Sequence, residues 1–518
     1  MRNAIRMVRR WKLINMSKHK GELGMMSPEL DELNKDEFYS FLWDNLSIRD
    51  RLKVLNGKKR TVWLFGAGAS YHYALNCRGV NMPLARDFFK AMHRLPTTDG
   101  FNAFIGPFIS FLHNYRGVHP SKASEWTEDI EHFMTSVEAE INELREKKEN
   151  SELSRDEFEK SIALATVFIN MTFIFANVLN EAQNGPSYSA YSELLRFCGP
   201  EDTFITFNWD TLLDKALAAS GAWTPNNGYT VDFSAFFDGK WKNKVGSSHV
   251  VESDWKLLKL HGSTNWLVPY TGIHPKTLNI ESVIEESDKV FLFWQASLPY
   301  ETHKGRWYGG YGPTCYGYYP PHLPMNSFST KLISLREGRF TVSFSPRIFA
   351  PFPEPTVQGI PSSPLLITPV RQKRYNDYSS VIGNLWNLAE QVFTEADKIV
   401  AIGYSFPTTD TKAVDLVRNT LVKRKNEIEL TIVDPYADVI IERIGEEYAR
   451  SAKSVSLQTT TFEEFIYTLR QKAPSLVKAA SATSPEFNEW IERLWAFQSW
   501  PDVVSDGDGQ SFRAAINR

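Results

Sequence analysis

The stretch TVWLFGAGAS, residues 61–70, decides the fold that we expect for this chain. Its apolar residues Val62 to Phe65 run directly into Gly66-Ala67-Gly68-Ala69-Ser70. An apolar run that ends in glycines predicts a buried strand followed by a tight turn. Glycine permits positive φ angles and a close approach of backbone to a ligand, and a helix beginning after such a turn can hold a phosphate. The stretch therefore indicates either the first βα turn of a dinucleotide-binding fold or an ordinary tight turn, because the third glycine of GxGxxG is absent.

The composition is that of a soluble globular protein. The chain has 518 residues, of which 42% are hydrophobic and 23% charged, with a net charge of -3. This slightly negative net charge predicts no positively charged surface that would bind nucleic acids. The longest apolar segment, Ile162 to Val178, contains two asparagines and predicts a buried helix, so we expect no membrane span. The basic N-terminus lacks the apolar core of a secretory signal, and we expect a cytoplasmic protein.

The cysteines argue against a zinc module. The three of them, Cys77, Cys198 and Cys315, are far apart in the chain and form no CxxC pair. An odd number of scattered cysteines is typical of reduced thiols in a cytosol. We therefore expect neither disulfides nor zinc.

Shifts in composition predict the domain organisation. Residues 1–60 form a helical N-terminal lead-in, and residues 61–470 form the main α/β domain. That domain carries a helical insertion at about 84–195 and an aromatic, Gly/Pro-rich insertion at about 266–365. The aromatic segment either covers a cleft or forms an oligomer contact. A C-terminal helical segment and tail occupies 471–518.

Polar side chains follow two further predicted strands. Asn208 and Asp210 come directly after the β-branched and aromatic run Thr203 to Phe207, and His261 follows the run Leu257 to Leu260. Polar groups at the carboxyl ends of parallel strands line the ligand crevice of such folds. Histidine can accept a proton near neutral pH. The alternative is that Asp210 caps a helix while Asn208 holds the turn, and that His261 has a structural role only.

Two later segments repeat the pattern. The buried run Asp397 to Tyr404 contains Gly403 near its end and is followed by Ser405. The run Glu429 to Val433 stops at Asp434, which precedes a proline. An acid in this place can accept hydrogen bonds from ribose hydroxyls, and it can equally begin a turn.

Together, four motifs in this order resemble the sirtuin superfamily. They are GAGAS at 66–70, TFNWD at 206–210, KLHGS at 259–263 and IGYSFPTTD at 402–410. The chain is most similar to the SIR2-like domains of prokaryotic antiphage defence systems, over roughly residues 55–470. The resemblance implies a Rossmann-like parallel sheet that binds NAD at the ends of its strands.

The resemblance also implies a role for each matching residue. His261 corresponds to the base that acts on the ribose, and Asn208 to the residue that orients ribose or water. Asp210 corresponds to the acid near the nicotinamide amide, and Asp434 lies where the adenosine ribose is held. The loops under the phosphates and the ribose correspond to Gly66, Ala67, Gly68, Ser70, Gly403 and Ser405.

Departures from the family pattern select among its activities. Protein-deacylating sirtuins carry a four-cysteine zinc module and a GIPDFR-like loop, whereas residues 77–89 here read CRGVNMPLARDFF. The resemblance thus implies NAD+ hydrolysis to nicotinamide and ADP-ribose in antiphage, abortive-infection defence. Oligomerisation or a partner, such as a HerA-like ATPase or a phage trigger, would gate the activity. The alternatives are a non-catalytic module that senses NAD or ADP-ribose and, less favoured, an NAD-dependent protein deacylase.

Overall fold

A computed structural model of the chain describes most of its residues. They are residues 28–57, 59–76, 78–95, 99–238, 240–243, 253–269, 271–273, 279–282, 290–294, 300–301, 306–307, 362–371, 373 and 380–499. The tyrosine-rich part of the predicted aromatic insertion, residues 308–319, lies outside them, as do Cys77 and Cys315. The chain divides into two compact units, Met1–Asn56 with Tyr467–Arg518, and Gly57–Ile466.

The strands and helices are numbered here in chain order. The strands are β1 (Thr61–Phe65), β2 (Thr203–Thr206), β3 (Ala235–Asp238), β4 (Lys240–Asn243), β5 (Lys256–Lys259), β6 (Gly262–Pro269), β7 (Thr271–Ile273), β8 (Ile280–Ser282), β9 (Phe291–Phe293), β10 (Tyr300–Glu301), β11 (Arg306–Trp307), β12 (Ser362–Leu366), β13 (Lys398–Ile402), β14 (Glu429–Val433) and β15 (Ser454–Gln458). The α-helices are α1 (Pro28–Asn45), α2 (Ile48–Val54), α3 (Phe88–Arg94), α4 (Asp99–Arg116), α5 (Ile130–Asn150), α6 (Arg155–Ala182), α7 (Ser189–Leu194), α8 (Leu212–Ser220), α9 (Pro225–Gly228), α10 (Ser380–Glu395), α11 (Thr411–Lys423), α12 (Ala437–Ile444), α13 (Glu446–Ala449), α14 (Phe462–Gln471), α15 (Ala473–Thr483) and α16 (Pro485–Ser499).

The larger unit is built on a six-stranded parallel sheet. Its order is β15-β14-β13-β1-β2-β5, and every neighbouring pair is parallel. Numbered by their appearance in the chain, these six strands follow the order 3-2-1-4-5-6 typical of Rossmann folds. β1 is buried along its whole length, as expected for a strand covered on both faces. The predicted fold class, an α/β protein with a Rossmann-like parallel sheet, is confirmed.

Helices α3 to α7 fill the connection between β1 and β2. The longest, α6, begins at a capping box in which Ser154 and Glu157 exchange side-chain and backbone hydrogen bonds. By length and composition α6 could cross a membrane, but 72% of its most apolar window is buried inside the protein. A core helix passes the same test, and its burial agrees with the buried helix predicted from Ile162 to Val178.

A second sheet contains β6, the strand that follows directly after β5. It has five strands in the order β12-β6-β9-β3-β4. The sequence predicted that His261-Gly262-Ser263 ends a strand, and β5 does end there, but Gly262 at once begins β6. The φ angle of Gly262 is +79°, and a Cβ there would lie 2.0 Å from the Leu365 carbonyl oxygen, so only glycine fits this bend.

The smaller unit contains helices from both ends of the chain. Phe38 and Leu42 of α1 and Val477 of α15 are completely buried. Lys478 and Asp36 form an ion pair of 2.6 Å across the same two helices. Apolar packing with an exposed ion pair at its edge is ordinary helix pairing, and we assign no site to this unit.

Candidate functional site

One cleft of about 850 Å³ lies within the larger unit, at the carboxyl ends of β1, β2, β13 and β14. Its volume is within the roughly 300–1,000 Å³ of small-molecule sites. All ten site residues predicted from the sequence line it, namely Gly66, Ala67, Gly68, Ser70, Asn208, Asp210, His261, Gly403, Ser405 and Asp434. They converge because parallel strands present their carboxyl ends at the same edge, where β1 and β13 form the switch point of the sheet.

The floor of the cleft is a contact between two glycine-containing loops. The Gly68 amide donates a hydrogen bond of 2.9 Å to the Gly403 carbonyl, and the Gly66 amide bonds Ile402. A Cβ on Gly68 would lie 2.8 Å from the Gly403 oxygen, and one on Gly66 would lie 2.6 Å from the same atom. Gly403 has a φ of +59°, and a Cβ on it would lie 2.1 Å from the Ala69 nitrogen. The packing of one loop on the other therefore excludes a side chain at each of these three glycines.

The turn after β1 differs from the βα turn that the sequence suggested. It is a single 3-10 turn, Ala67–Ala69, and the next α-helix begins only at Phe88. Gly66 has an extended backbone with φ of -116°, and Gly68 also lacks a positive φ. The expected helix N-terminus for a phosphate is therefore not formed by this segment. What the glycines provide is a floor without side chains.

Asn208 and Ser70 are joined above this floor. The Asn208 Nδ2 donates to the Gly66 carbonyl at 2.9 Å and lies 3.4 Å from the Ser70 Oγ. The Ser70 Oγ in turn donates to Asp210 Oδ2 at 3.1 Å and lies 3.0 Å from the Tyr191 hydroxyl. Because an amide is planar, bonds that fix its nitrogen also fix the direction of its oxygen. Tyr191 was not predicted, since nothing in its local sequence separates it from other core aromatics.

Asp210 serves the backbone with one oxygen and the cluster with the other. Its Oδ1 accepts a bond of 3.0 Å from the Leu212 amide at the start of α8, while Oδ2 faces Ser70. Burial raises the pKa of Asp210, and the nearby Lys259 ammonium opposes that effect. Lys259 is itself buried and pairs with Asp214 at 3.1 Å. Asp210 therefore bonds the start of α8 with one oxygen, as the alternative reading of the sequence predicted, and contacts Ser70 in the cleft with the other.

His261 stands between the two sheets with its ring held by neighbours. It follows β5, is 8% exposed, and its ring centroid lies 4.9 Å from that of Phe207. Its Nε2 is 3.4 Å from Asp410 Oδ2. The imidazole therefore lies between an aromatic ring and a carboxylate, at ion-pair distance from the carboxylate.

Asp410 and its partners were missed as site residues. Asp410 ends the quoted motif IGYSFPTTD, yet it received no role because an acid before a helix is usually a cap. In the structure its Oδ2 accepts a bond of 2.8 Å from the Tyr404 hydroxyl. Its Oδ1 lies 3.8 Å from Lys373 Nζ, which lies 3.9 Å from Glu131 of α5. Lys373 and Glu131 have no sequence signal that could have placed them here.

The remaining predicted residues lie at the β13 and β14 side of the cleft. Ser405 is exposed, and its carbonyl accepts a bond of 2.8 Å from Arg443. Asp434 Oδ1 accepts a bond of 2.8 Å from the Tyr436 amide, so it does hold the turn after β14. Burial raises the pKa of Asp434, and the Arg443 charge opposes this. Across the described residues, no group of three or more His, Cys, Asp or Glu side chains could hold a metal ion.

Comparison with known proteins gives a distant structural likeness. No protein-family model and no curated protein matches the sequence. Among solved structures, the chain is similar to a mutant Sir2 homologue in complex with ADP-ribose, with 13% identity over 83% of this chain and 97% of that one and a TM-score of 0.33. It is also similar to a Sir2 homologue in complex with NAD, with 13% identity over 83% and 94% of the two chains and a TM-score of 0.30. At such values we transfer no residue role from those proteins.

Proposed function

We propose that this chain is an NAD+ glycohydrolase. The observation that carries the proposal is the meeting of Asn208 and His261 in one cleft whose floor is the contact of Gly68 with Gly403. An amide and an imidazole supply the two functions that hydrolysis of a glycosidic bond requires, namely positioning of a nucleophile and acceptance of a proton. Both side chains are 8% exposed, so they meet a ligand in a largely water-excluded site.

The two ends of the cleft suit the two ends of a dinucleotide. Gly66 and Gly68 line the cleft and carry no side chain that would keep a pyrophosphate away from their backbone, so we propose that it binds there. On the β14 side, Asp434 keeps one oxygen beyond its turn bond that can accept from a ribose hydroxyl. On the β2 side, Asn208, Asp210 and His261 line the cleft, and we propose that the nicotinamide ribose binds beside them.

In the proposed reaction, one bond breaks and one forms. The bond between C1′ of the ribose and the nicotinamide nitrogen breaks, and its electron pair neutralises the pyridinium ring. The oxygen of a water molecule positioned by Asn208 bonds to C1′, and the proton released from that water passes to His261 or to solvent. The products are nicotinamide, ADP-ribose and a proton. Anchoring of the remote phosphates supplies binding energy that orients the reacting bond.

The proposal also covers how NAD+ consumption is controlled and which biological role the activity has. An enzyme that freely consumed NAD+ would deplete its own cell, so we propose that assembly or a partner gates the activity. The resemblance of the four motifs supports an antiphage, abortive-infection role with a HerA-like ATPase or a phage component as the trigger. Homo-oligomerisation belongs to the same proposal.

The test is incubation of purified full-length protein with NAD+, alone and with candidate partners. Nicotinamide and ADP-ribose are quantified by chromatography, and mass by light scattering. Equimolar release of both products supports the proposal. Tight NAD+ or ADP-ribose binding without turnover under every condition would replace it with a sensing module. Turnover only in the presence of an acylated peptide would replace it with a deacylase.

A further inference from the structure

Asp410 occupies the position of a helix cap but does not cap its helix. It immediately precedes α11, and its side chain makes no capping hydrogen bond. Its backbone carbonyl does engage the helix, accepting hydrogen bonds from the Ala413 and Val414 amides. An aspartate in this position ordinarily uses its carboxylate to satisfy free amides of the first turn. The Asp410 carboxylate makes no such bond, so helix capping does not explain its position.

The carboxylate faces the candidate base instead. Asp410 is 2% exposed, and its Oδ2 is shared between the Tyr404 hydroxyl at 2.8 Å and the His261 Nε2 at 3.4 Å. A buried carboxylate is costly unless charge and hydrogen bonds compensate it. Lys373, 3.8 Å from Oδ1, supplies the opposite charge, and Glu131 is 3.9 Å from that ammonium.

A stack of rings fixes the same histidine from the side. The Phe207 ring lies 4.9 Å from the His261 ring and 4.4 Å from the Tyr404 ring, measured between centroids. Tyr404 therefore contacts Phe207 with its face and Asp410 with its hydroxyl. The 3.4 Å between Nε2 and Asp410 Oδ2 is an ion-pair distance without hydrogen-bond alignment, so the carboxylate acts on the ring through its charge and its place beside it.

We infer that Asp410 is a positioning residue that orients the His261 ring for glycosidic hydrolysis. The inference rests on the proposed function for its catalytic meaning, while the contact itself is independent of it. In this proposal Asp410 acts through His261. The Tyr404 hydroxyl and the Lys373 ammonium hold the Asp410 carboxylate in place.

The first experiment detects the contact between Asp410 and His261 and does not depend on catalytic activity. Full-length protein is labelled with ¹⁵N-histidine, and the His261 ring signals are assigned among the 11 histidines with a His261→Asn variant. We expect Asp410→Asn, which keeps the side-chain shape, to shift the His261 ring-nitrogen signals. The matched control is Asp415→Asn, an exposed acid on the same helix that pairs with Arg418. It should leave those signals unchanged. Identical His261 signals in wild type and Asp410→Asn would overturn the inference.

The second experiment reads catalysis under conditions in which the wild-type protein releases nicotinamide. A positioned base contributes on the order of 10²–10⁴-fold in rate, so we expect Asp410→Asn to lower kcat by about 10- to 100-fold. The KM for NAD+ should stay within about threefold of the wild-type value, because the contacts that bind NAD+ equally in the ground state and the transition state are not altered. In a His261→Asn background, Asp410→Asn should cause no further loss, since residues that act as a unit are not additive.

Several results would count against the inference. An unchanged kcat in Asp410→Asn overturns it, and so does a further loss of rate in the double variant. A lower Tm accompanied by changes of similar size in kcat and in the KM for NAD+ would show that Asp410 has a merely structural role. A wild-type protein that never releases nicotinamide refutes the proposed hydrolase instead, and the ¹⁵N signals then decide separately whether Asp410 controls the His261 ring.

Discussion

Replacing Gly68 by alanine tests whether the two glycine loops are packed as tightly as the structure indicates. The added Cβ would lie 2.8 Å from the Gly403 oxygen, 2.9 Å from its Cα and 3.2 Å from its carbonyl carbon. All three are backbone atoms at the end of a buried strand, so they cannot move aside as a flexible side chain does. One loop must shift relative to the other.

The magnitude follows from two opposing terms. Forcing an extra methyl group into a packed region costs about 1–3 kcal/mol. Alanine also restricts the unfolded chain, which returns about 0.4–1 kcal/mol. We therefore expect a net destabilisation of about 1–2 kcal/mol, observed as a Tm lower by a few degrees. Because the shifted loop is the proposed phosphate floor, the Kd for ADP-ribose should rise about tenfold, which corresponds to about 1.4 kcal/mol.

The matched control is Gly106→Ala. Gly106 lies inside α4, and a Cβ there would meet nothing within 4 Å. Alanine is favoured over glycine in a helix interior by roughly 0.5–1 kcal/mol, but Pro107 crowds the Cβ of the preceding residue and opposes this gain. Gly106→Ala therefore serves as the control for ligand affinity, and it should bind ADP-ribose normally. Differential scanning calorimetry gives the Tm, and isothermal titration gives the Kd. A Gly68→Ala protein with wild-type Tm and wild-type affinity would refute the close contact of the loops and its proposed use.

Three further predictions address the same cleft. His261→Ala and Asn208→Ala should each lower nicotinamide release by about 10²-fold or more, with a stability loss of only about 1 kcal/mol, as measured by kinetics beside thermal unfolding; wild-type rates in both would remove them from the active site. Gly403→Ala should destabilise more than Gly68→Ala, by about 2–5 kcal/mol, because its φ of +59° adds to a Cβ contact of 2.1 Å; an equal or smaller Tm change would contradict this. Burial raises the pKa of Asp210 above its unfolded value, so its contribution to stability is present at low pH and lost as pH rises through the raised pKa. Asp210→Asn removes that loss, and its Tm relative to wild type should increase between about pH 4 and pH 7; a constant difference would show that the carboxyl is not desolvated.

Local sequence signals were sufficient for most of the parallel sheet. The runs that became β1, β2, β13 and β14 are apolar or β-branched and end at glycine or polar residues, which are the signals of a buried strand. Strand β14 has the limits of the run Glu429 to Val433 that the sequence indicated. Strand β15 was not predicted, because SVSLQ is short, mostly polar and only partly buried at the sheet edge.

The sequence also determined which residues would share an edge. Once the strands were predicted to be parallel, Ser70, Asn208, His261 and Asp434 had to meet at their carboxyl ends, and all four line the cleft. Their chemical roles are a separate matter and stay predictions. The second sheet could not be predicted, because the residues that pair across it, such as those of β6 and β12, are far apart in the chain.

The tertiary structure alone decided why the glycines are needed and where the acid at residue 410 points. By itself the GAGAS stretch indicated a turn with freedom for a phosphate, but the close contact that excludes a side chain at Gly68 comes from Gly403, on another strand. Likewise, local rules assign Asp410 to its own helix, whereas the structure turns its carboxylate to His261 and Lys373. The physical reason is the same in both cases. Backbone preferences are set by near neighbours, but burial, steric exclusion and the pairing of charges are set by segments that meet only after the chain has folded.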